Sequence, residues 1–300
     1  MTSSASRSRE VNRVTTDDGV RLWTETGGSG PGMVLLHGGP GLWDYLGPLA
    51  SSLEDTLTIV RYDQRGAGRS DHAGPYSLQR FVADCEAVRE SSGFEDLVVA
   101  GHSWGAGLAL LYALSHQERV RGVLYIAGVG FDWPAWKAEF HREQLSRLSE
   151  EEAARLAAFD ARDSLGPDEE RERARLRWVT DYRYRTVGEE RVAEMLAAGF
   201  AVNHTSNQLL SHELEATTAD EWYSRLAELH CPVLVVQGSA DPRPLAAVDG
   251  MVEALPQCKR VILEGGHFPW VEDATTFHTT VRTWLREGPR LVRSVPDKAY

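Results

Sequence analysis

The chain has 300 residues and a formal net charge of −12, with 42% hydrophobic and 25% charged residues. These values are typical of a globular protein, and the length suits one large α/β domain with an insertion, or two domains. The acidic balance disfavours a nucleic-acid partner, because phosphates require basic patches. Residues 1–10 lack the apolar core of a signal peptide, and no apolar stretch is long enough to span a bilayer. We therefore expect a cytoplasmic protein without membrane association.

The spacings of the cysteines and histidines indicate neither a disulfide framework nor a metal site. Cys85, Cys231 and Cys258 are odd in number and far apart in sequence, which argues against a disulfide framework. His204 and His212 do not have the spacing of metal ligands. The sequence therefore predicts a protein without a metal or another cofactor.

The first part of the chain predicts strands that alternate with helices. Polar residues 1–10 are expected to be disordered, and residues 11–16 and 20–26 form a predicted hairpin around an Asp-Gly turn. Short apolar runs predict buried strands at residues 33–36, 57–62, 97–100 and 120–127, and helical spacing of apolar residues predicts a helix at 78–90. Residues 11–130 thus form the first part of the expected core.

The pattern changes after residue 130. Residues 131–229 show no strand signal and predict a helical cap insertion, with helices at 144–161, 167–182 and 192–200. Core character returns over residues 230–287, with strands at 232–236 and 261–263, helices at 245–255 and 275–286, and a tail at 288–300. Uniformly apolar strands alternating with helices predict an α/β fold with a mostly parallel sheet covered by helices on both faces.

Gly101-His102-Ser103-Trp104-Gly105 lies between the predicted strand 97–100 and an apolar helix. A serine on such a sharp strand-to-helix turn projects its hydroxyl above the sheet, and the glycines avoid clashes that Cβ atoms would cause. This context predicts that Ser103 is a nucleophile. The alternative is an ordinary glycine-rich turn.

A serine nucleophile needs a base that takes its proton and an acid that orients the base. In this topology the order along the chain is serine, acid, histidine, with each residue at the carboxyl end of a strand. Asp241 and His267 each follow a predicted strand in that order. We predict that His267 is the base and Asp241 its acid, with Asp132 as an alternative acid.

Backbone donors are expected to bind the negative charge that develops on a carbonyl oxygen. The N–H of Trp104 opens the helix after the nucleophile, and a second N–H is expected from His37-Gly38-Gly39-Pro40-Gly41, with Gly39 favoured. The alternative for this glycine-rich segment is a flexible loop.

Three segments carry a likeness to a known family. They are His37-Gly38-Gly39-Pro40-Gly41, Asp63-Gln64-Arg65-Gly66-Ala67-Gly68-Arg69-Ser70 and the Gly101–Gly105 motif. The chain resembles the α/β-hydrolase fold along nearly its whole length, and within that fold it is similar to the proline iminopeptidases. The resemblance implies a triad of Ser103, His267 and Asp241, an oxyanion hole at Gly39 and Trp104, and a cap over the active site. It implies release of N-terminal residues, preferably proline, from small peptides.

Two departures keep other functions open. The chain has His102 and Ala106 where these peptidases often have glycine, which is closer to general α/β-hydrolases. A hydrolase of small-molecule esters, lactones or amides is therefore the alternative, and a non-catalytic ligand-binding homologue is a third. In the peptidases, cap glutamates hold the amino group of the substrate, which makes Glu213 and Glu215 candidates here. Further candidates for substrate contact are Gly38, Trp43, Phe131 and Trp133.

Overall fold

The computed structural model describes residues 9–289. Within them, eight strands form one sheet: β1 (Glu10–Thr15), β2 (Arg21–Gly28), β3 (Gly32–Leu36), β4 (Thr58–Tyr62), β5 (Leu97–His102), β6 (Val120–Ile126), β7 (Val233–Gly238) and β8 (Cys258–Leu263). Their order is β1-β2-β4-β3-β5-β6-β7-β8, antiparallel at β1–β2 and β2–β4 and parallel elsewhere. The predicted mostly parallel sheet is confirmed.

The ends of the chain lie partly outside this description. Residues 1–8 and 290–300, which include most of the predicted disordered start and tail, are not among the described residues. Glu10 begins β1, although the sequence predicted disorder through residue 10.

The described residues also contain twelve α-helices and one short 3-10 helix at Leu245–Val248. The α-helices are α1 (Gly47–Ser51), α2 (Leu78–Ser91), α3 (Trp104–Ser115), α4 (Trp133–Ser146), α5 (Glu150–Asp160), α6 (Pro167–Val179), α7 (Arg185–Ala197), α8 (His204–Glu215), α9 (Ala219–Leu226), α10 (Asp249–Ala254), α11 (Pro269–Glu272) and α12 (Ala274–Glu287). None of them is both long and apolar enough to cross a bilayer.

The sheet separates two hydrophobic cores. Along β3, Val34 and Leu36 pack with side chains of α2 and α3, whereas Met33 and Leu35 pack with side chains of α1 and α12. Alternate residues of a strand point to opposite faces, so a strand covered on both sides must be apolar throughout. The expected helices on both faces are confirmed, and the polar loops at the strand ends remain free to form a site.

Six helices, α4–α9, lie between β6 and β7 in the chain. The single helix predicted over residues 144–161 is wrong, because α4 ends at Ser146 and α5 begins at Glu150. Ser149 and Glu152 form a capping box at this break, with the Glu152 N–H donating to Ser149 Oγ at 3.2 Å. A capping box satisfies free N–H groups at a helix start and so favours a new helix here.

Three of these helices were not predicted: α8, α9 and α4, of which only residues 144–146 fall within a predicted helix. Asn203 caps α8 by accepting a hydrogen bond from the Ser206 N–H, and Thr218 caps α9 by accepting one from the Glu221 N–H. Leu210 and Leu214 in α8, and Trp222 and Leu226 in α9, lie four residues apart and so share one face of each helix, and this spacing together with the polar caps was the available signal.

Candidate active site

Ser103 occupies a strained turn between β5 and α3, with φ 57° and ψ −124°. Such a conformation costs a non-glycine residue about 1–3 kcal/mol and persists only where the surroundings enforce it. A Cβ on Gly101 would lie 2.0 Å from the Gly105 carbonyl oxygen, and one on Gly105 would lie 2.3 Å from the Leu36 carbonyl oxygen. Both glycines of the motif are therefore needed for this close packing.

His267 and Asp241 come together at the ends of β8 and β7. His267 Nδ1 donates to Asp241 Oδ2 at 2.6 Å. Burial alone would raise the pKa of the Asp241 carboxyl, but the charges of His267 and Arg243 outweigh it and hold that pKa well below its ordinary value. An ionised Asp241 can orient the imidazole and stabilise its protonated form. Among the described hydrogen bonds, none joins the alternative acid Asp132 to His267.

The loops that carry this acid and base are packed backbone against backbone. A Cβ on Gly238 would lie 2.0 Å from the Gly266 carbonyl oxygen, and one on Gly266 would lie 2.2 Å from the Asp181 carbonyl oxygen. The His267 N–H also donates to the Asp181 carbonyl at 2.7 Å. The chain just after α6 therefore supports the loop of His267 directly.

His102 links the His267 loop to the glycine-rich loop after β3. Its Nε2 donates to the His267 carbonyl at 2.8 Å, and its Nδ1 accepts from the Tyr45 hydroxyl at 2.6 Å. The Tyr45 oxygen in turn accepts from the Gly38 N–H at 2.9 Å. Burial lowers the pKa of His102 far below its ordinary value, so the ring stays neutral and can both donate and accept. This bridging role was not predicted from the sequence.

The two predicted oxyanion residues line the same cavity as Ser103, whose volume is about 370 Å³. Gly39 has φ 135°, a conformation that favours glycine, and Trp104 is the first residue of α3. Gly38 lies next to Ser103, since a Cβ added to Gly38 would be 3.0 Å from Ser103 Cβ. Backbone N–H groups on this wall are suitable donors to a developing oxyanion.

The other predicted substrate contacts divide into two groups. Phe131, Trp133 and Glu215 line the cavity beside Ser103. Trp43 lines two neighbouring cavities instead. Glu213 does not line this cavity either. Its Oε2 accepts a hydrogen bond from the Leu78 N–H at 2.8 Å and so caps α2.

Two charged residues at the site were missed by the sequence analysis. Arg243 Nη1 donates to Asp181 Oδ1 at 2.7 Å and to Asp241 Oδ1 at 3.2 Å, and both Arg243 and Asp181 line the cavity. The sequence places Arg243 two residues after Asp241, and this proximity was the signal that could have identified it as part of the site. Asp181 lies 62 positions from Arg243 along the chain and had none.

The segment 63–70, the most distinctive part of the family likeness, has a supporting role. Asp63 accepts hydrogen bonds from the side chain and backbone of Arg69. Arg65 is fully buried and donates to Asp84 and Asp18. These bonds fix the loop after β4 rather than present a reactive group to the cavity.

Comparison with known proteins agrees with this architecture. Residues 31–274 match the model of the alpha/beta hydrolase fold family. A proline iminopeptidase from Lactobacillus helveticus is 26% identical over 265 residues, which cover 85% of this chain and 90% of that protein. Another, from Saccharolobus solfataricus, is 38% identical over 107 residues, and this alignment covers 34% of each chain.

A solved structure of an esterase has a similar fold. An esterase from Thermogutta terrifontis matches with a TM-score of 0.68 and 21% identity, covering 93% of this chain and 98% of the esterase. At this identity the match concerns the fold alone, and one fold serves many substrates.

Proposed function

The chain belongs to the α/β-hydrolase fold family, and we propose that it is a serine hydrolase with Ser103, His267 and Asp241 as its triad. The observation that carries this proposal is the 2.6 Å bond from His267 Nδ1 to an ionised Asp241, at the same sheet edge as the strained Ser103. Because Nδ1 is engaged by the acid, Nε2 of His267 is the atom that would take the serine proton.

The proposed reaction proceeds through an acyl-enzyme. Ser103 Oγ attacks the substrate carbonyl while His267 removes its proton, and His267 then protonates the leaving group. Water then attacks the carbonyl of the acyl-enzyme while His267 removes its proton. His267 returns this proton to Ser103 Oγ as the ester bond breaks, and the acid is released. The N–H groups of Gly39 and Trp104 would bind the oxyanion, where the loss of one donor typically raises the barrier by about 3–4 kcal/mol.

For the substrate, we propose a small peptide with a free amino terminus, cleaved as a proline iminopeptidase would cleave it. Glu215 lines the cavity beside Ser103, and its carboxylate makes no hydrogen bond or ion pair with another described residue. Such a carboxylate is free to pair with a substrate ammonium. Phe131 and Trp133 add an apolar wall suited to a proline ring.

The insertion would then act as a cap, since residues from α4, α6 and α8 contribute to the cavity wall. A second cavity of about 720 Å³ shares lining residues with the first, and these are Gly39, Pro40, Arg177, Trp178 and Asn207. It offers space for the remainder of a short peptide whose amino terminus is held near Glu215.

Three substrates test this proposal side by side: a prolyl arylamide, its N-acetylated form and a neutral acyl ester. We expect turnover of the free amine and a loss of at least about tenfold on acetylation, because the ion pair with Glu215 is removed. Equal turnover of the acetylated compound, or turnover of the ester alone, would instead identify a small-molecule hydrolase. Failure of a fluorophosphonate to label Ser103 would indicate a non-catalytic protein.

A further inference from the structure

Arg243 connects the acid of the proposed triad to the helical insertion. Its Nη1 is shared between Asp181 Oδ1 and Asp241 Oδ1, and its backbone N–H donates to the same Asp241 oxygen at 2.9 Å. The side chains of Arg243, Asp181 and Asp241 are only 15%, 9% and 5% exposed. Such shielding from water makes their mutual electrostatic effects strong.

Arg243 keeps its charge in this setting. Burial disfavours the charged guanidinium, but the carboxylates of Asp181 and Asp241 outweigh that cost and raise the pKa of Arg243. Arg243 places a permanent positive charge beside Asp241 and so cancels part of the negative charge that faces the imidazole of His267. Asp181 offsets this cation, so the three groups together leave one net negative charge next to the imidazole.

The other polar groups around His267 do not supply this compensation. His102 is neutral, and burial raises the pKa values of Tyr45 and Tyr182, which keeps both hydroxyls protonated. The Glu272 carboxylate accepts hydrogen bonds from the backbone N–H groups of Gly266, Arg183 and Tyr184, and no described ion pair joins it to Arg243. Asp181 is therefore the carboxylate in direct contact with Arg243 besides Asp241 itself.

We propose that Arg243 and Asp181 are positioning residues that jointly set the basicity of His267. Arg243 holds the Asp241 carboxylate in place, and Asp181 cancels the charge that Arg243 brings. This proposal rests on the triad of the proposed function. Because Asp181 belongs to the insertion, the reactivity of Ser103 depends on how the insertion is seated against the loop of His267.

The test measures the rate at which a fluorophosphonate modifies Ser103 as a function of pH, followed by intact-protein mass spectrometry. This readout needs no knowledge of the natural substrate. Asp181→Asn should move the acid limb of the profile to lower pH by about 0.5–1 unit, because Arg243 is then uncompensated. Arg243→Gln should move it to higher pH by a similar amount, and the double variant should return it close to the wild-type position.

Two further variants separate this effect from simple loss of structure. Arg243→Lys keeps the charge and should leave the limb in place even if the plateau rate falls. Asp163→Asn removes an exposed carboxylate elsewhere in the insertion and should change neither limb nor plateau. A general structural defect would lower the rate at every pH without moving the limb.

The outcomes are distinct from those of the proposed function. Suppose that the wild-type protein is labelled but the acid limbs of the two single variants do not move, or move in the same direction. This result would overturn the inference and leave the proposed triad intact. Wild-type protein that is not labelled at any pH would overturn the triad, and this inference with it. Labelling that shifts as expected supports the inference whichever acyl substrate proves to be the preferred one.

Discussion

The loop segment 63–70 and the inserted helices α4–α9 both form ion pairs between arginine and carboxylate, yet these pairs differ in burial. Arg65 is fully buried and donates to the nearly buried Asp84. Arg155, in the insertion, is 44% exposed and pairs with Glu151, which is 84% exposed. A buried charge that loses its partner is costly, whereas an exposed pair contributes little. The same kind of ion pair thus gives a rigid support where it is buried and an adaptable surface where it is exposed.

The same division applies to the site. Ser103, Asp241 and His267 lie on turns and loops of the sheet edge, while Glu215 and Asp181 approach the cavity from the insertion. We therefore expect the core residues to control whether the reaction occurs, and the insertion to control which substrate is used and at what pH.

The largest effects should come from the sheet edge. Ser103→Ala and His267→Ala should each reduce turnover by about 10⁴-fold or more, and the double variant should be no worse than either single variant, because the two residues act as one unit. Steady-state kinetics of the three variants will measure this.

Asp241→Asn should also be severe, whereas Asp132→Asn should remain close to wild type. A mild effect at Asp241 with a larger one at Asp132 would transfer the role of the acid to Asp132.

The next largest effect concerns stability. Arg65→Ala should lower the free energy of unfolding by about 3–5 kcal/mol, because it leaves the buried Asp84 carboxylate unpaired. The matched change Arg155→Ala in the insertion should stay within about 0.5 kcal/mol. Urea denaturation measures the free energy of unfolding of both variants. Equal losses in the two would show that the two regions do not differ in this way.

A smaller effect separates two glutamates on α8. Glu215→Gln should raise KM for a prolyl arylamide by about tenfold with little change in kcat, because the ammonium loses its partner. Glu213→Gln should leave KM unchanged, and Glu213→Ala should cost about 1 kcal/mol of stability, since the Glu213 side chain caps α2. A KM effect at Glu213 but not at Glu215 would reverse the assignment.

The smallest effect depends on pH. Hydrogen bonds from Arg185 lower the pKa of Glu152 from 4.5 to about 2. The folded-state pKa is depressed, so the stabilisation is present above about pH 4.5 and is lost as the pH falls through the folded pKa. Glu152→Gln retains the capping box but should lose about 0.5–1 kcal/mol near neutral pH, and this deficit should shrink as the pH falls from about 4.5 toward 2. Urea unfolding of both proteins across this range tests the sign, and a larger deficit in acid would contradict it.

The fold was accessible from the sequence where burial determines the residue pattern. The strands are short apolar runs because both of their faces are covered, and the motif around Ser103 was recognisable because it directly follows one of them. Asp241 and His267 could be proposed because the topology restricts the triad to strand ends. Their hydrogen bond is consistent with that proposal.

The insertion was less accessible because its helices are largely exposed. Its helix starts carry caps such as Ser149 and Thr218, and several of its apolar stripes are only two or three residues long, so both signals were overlooked. The contact between Asp181 and Arg243 depends on how the insertion packs against the core, and no local pattern encodes it. The difference between Glu213 and Glu215 likewise depends on how α8 lies against α2.

The glycine contacts between the loops after β7 and β8 limit how this enzyme scaffold can diversify. Even a methyl group at Gly238 or Gly266 would collide with neighbouring backbone, so these two positions beside the candidate acid and base cannot acquire side chains without a backbone shift. Adaptation to another substrate must instead accumulate on the surfaces of α4, α6 and α8 that face the cavity. Directed evolution confined to those helices should therefore yield altered preferences far more often than libraries aimed at the loops.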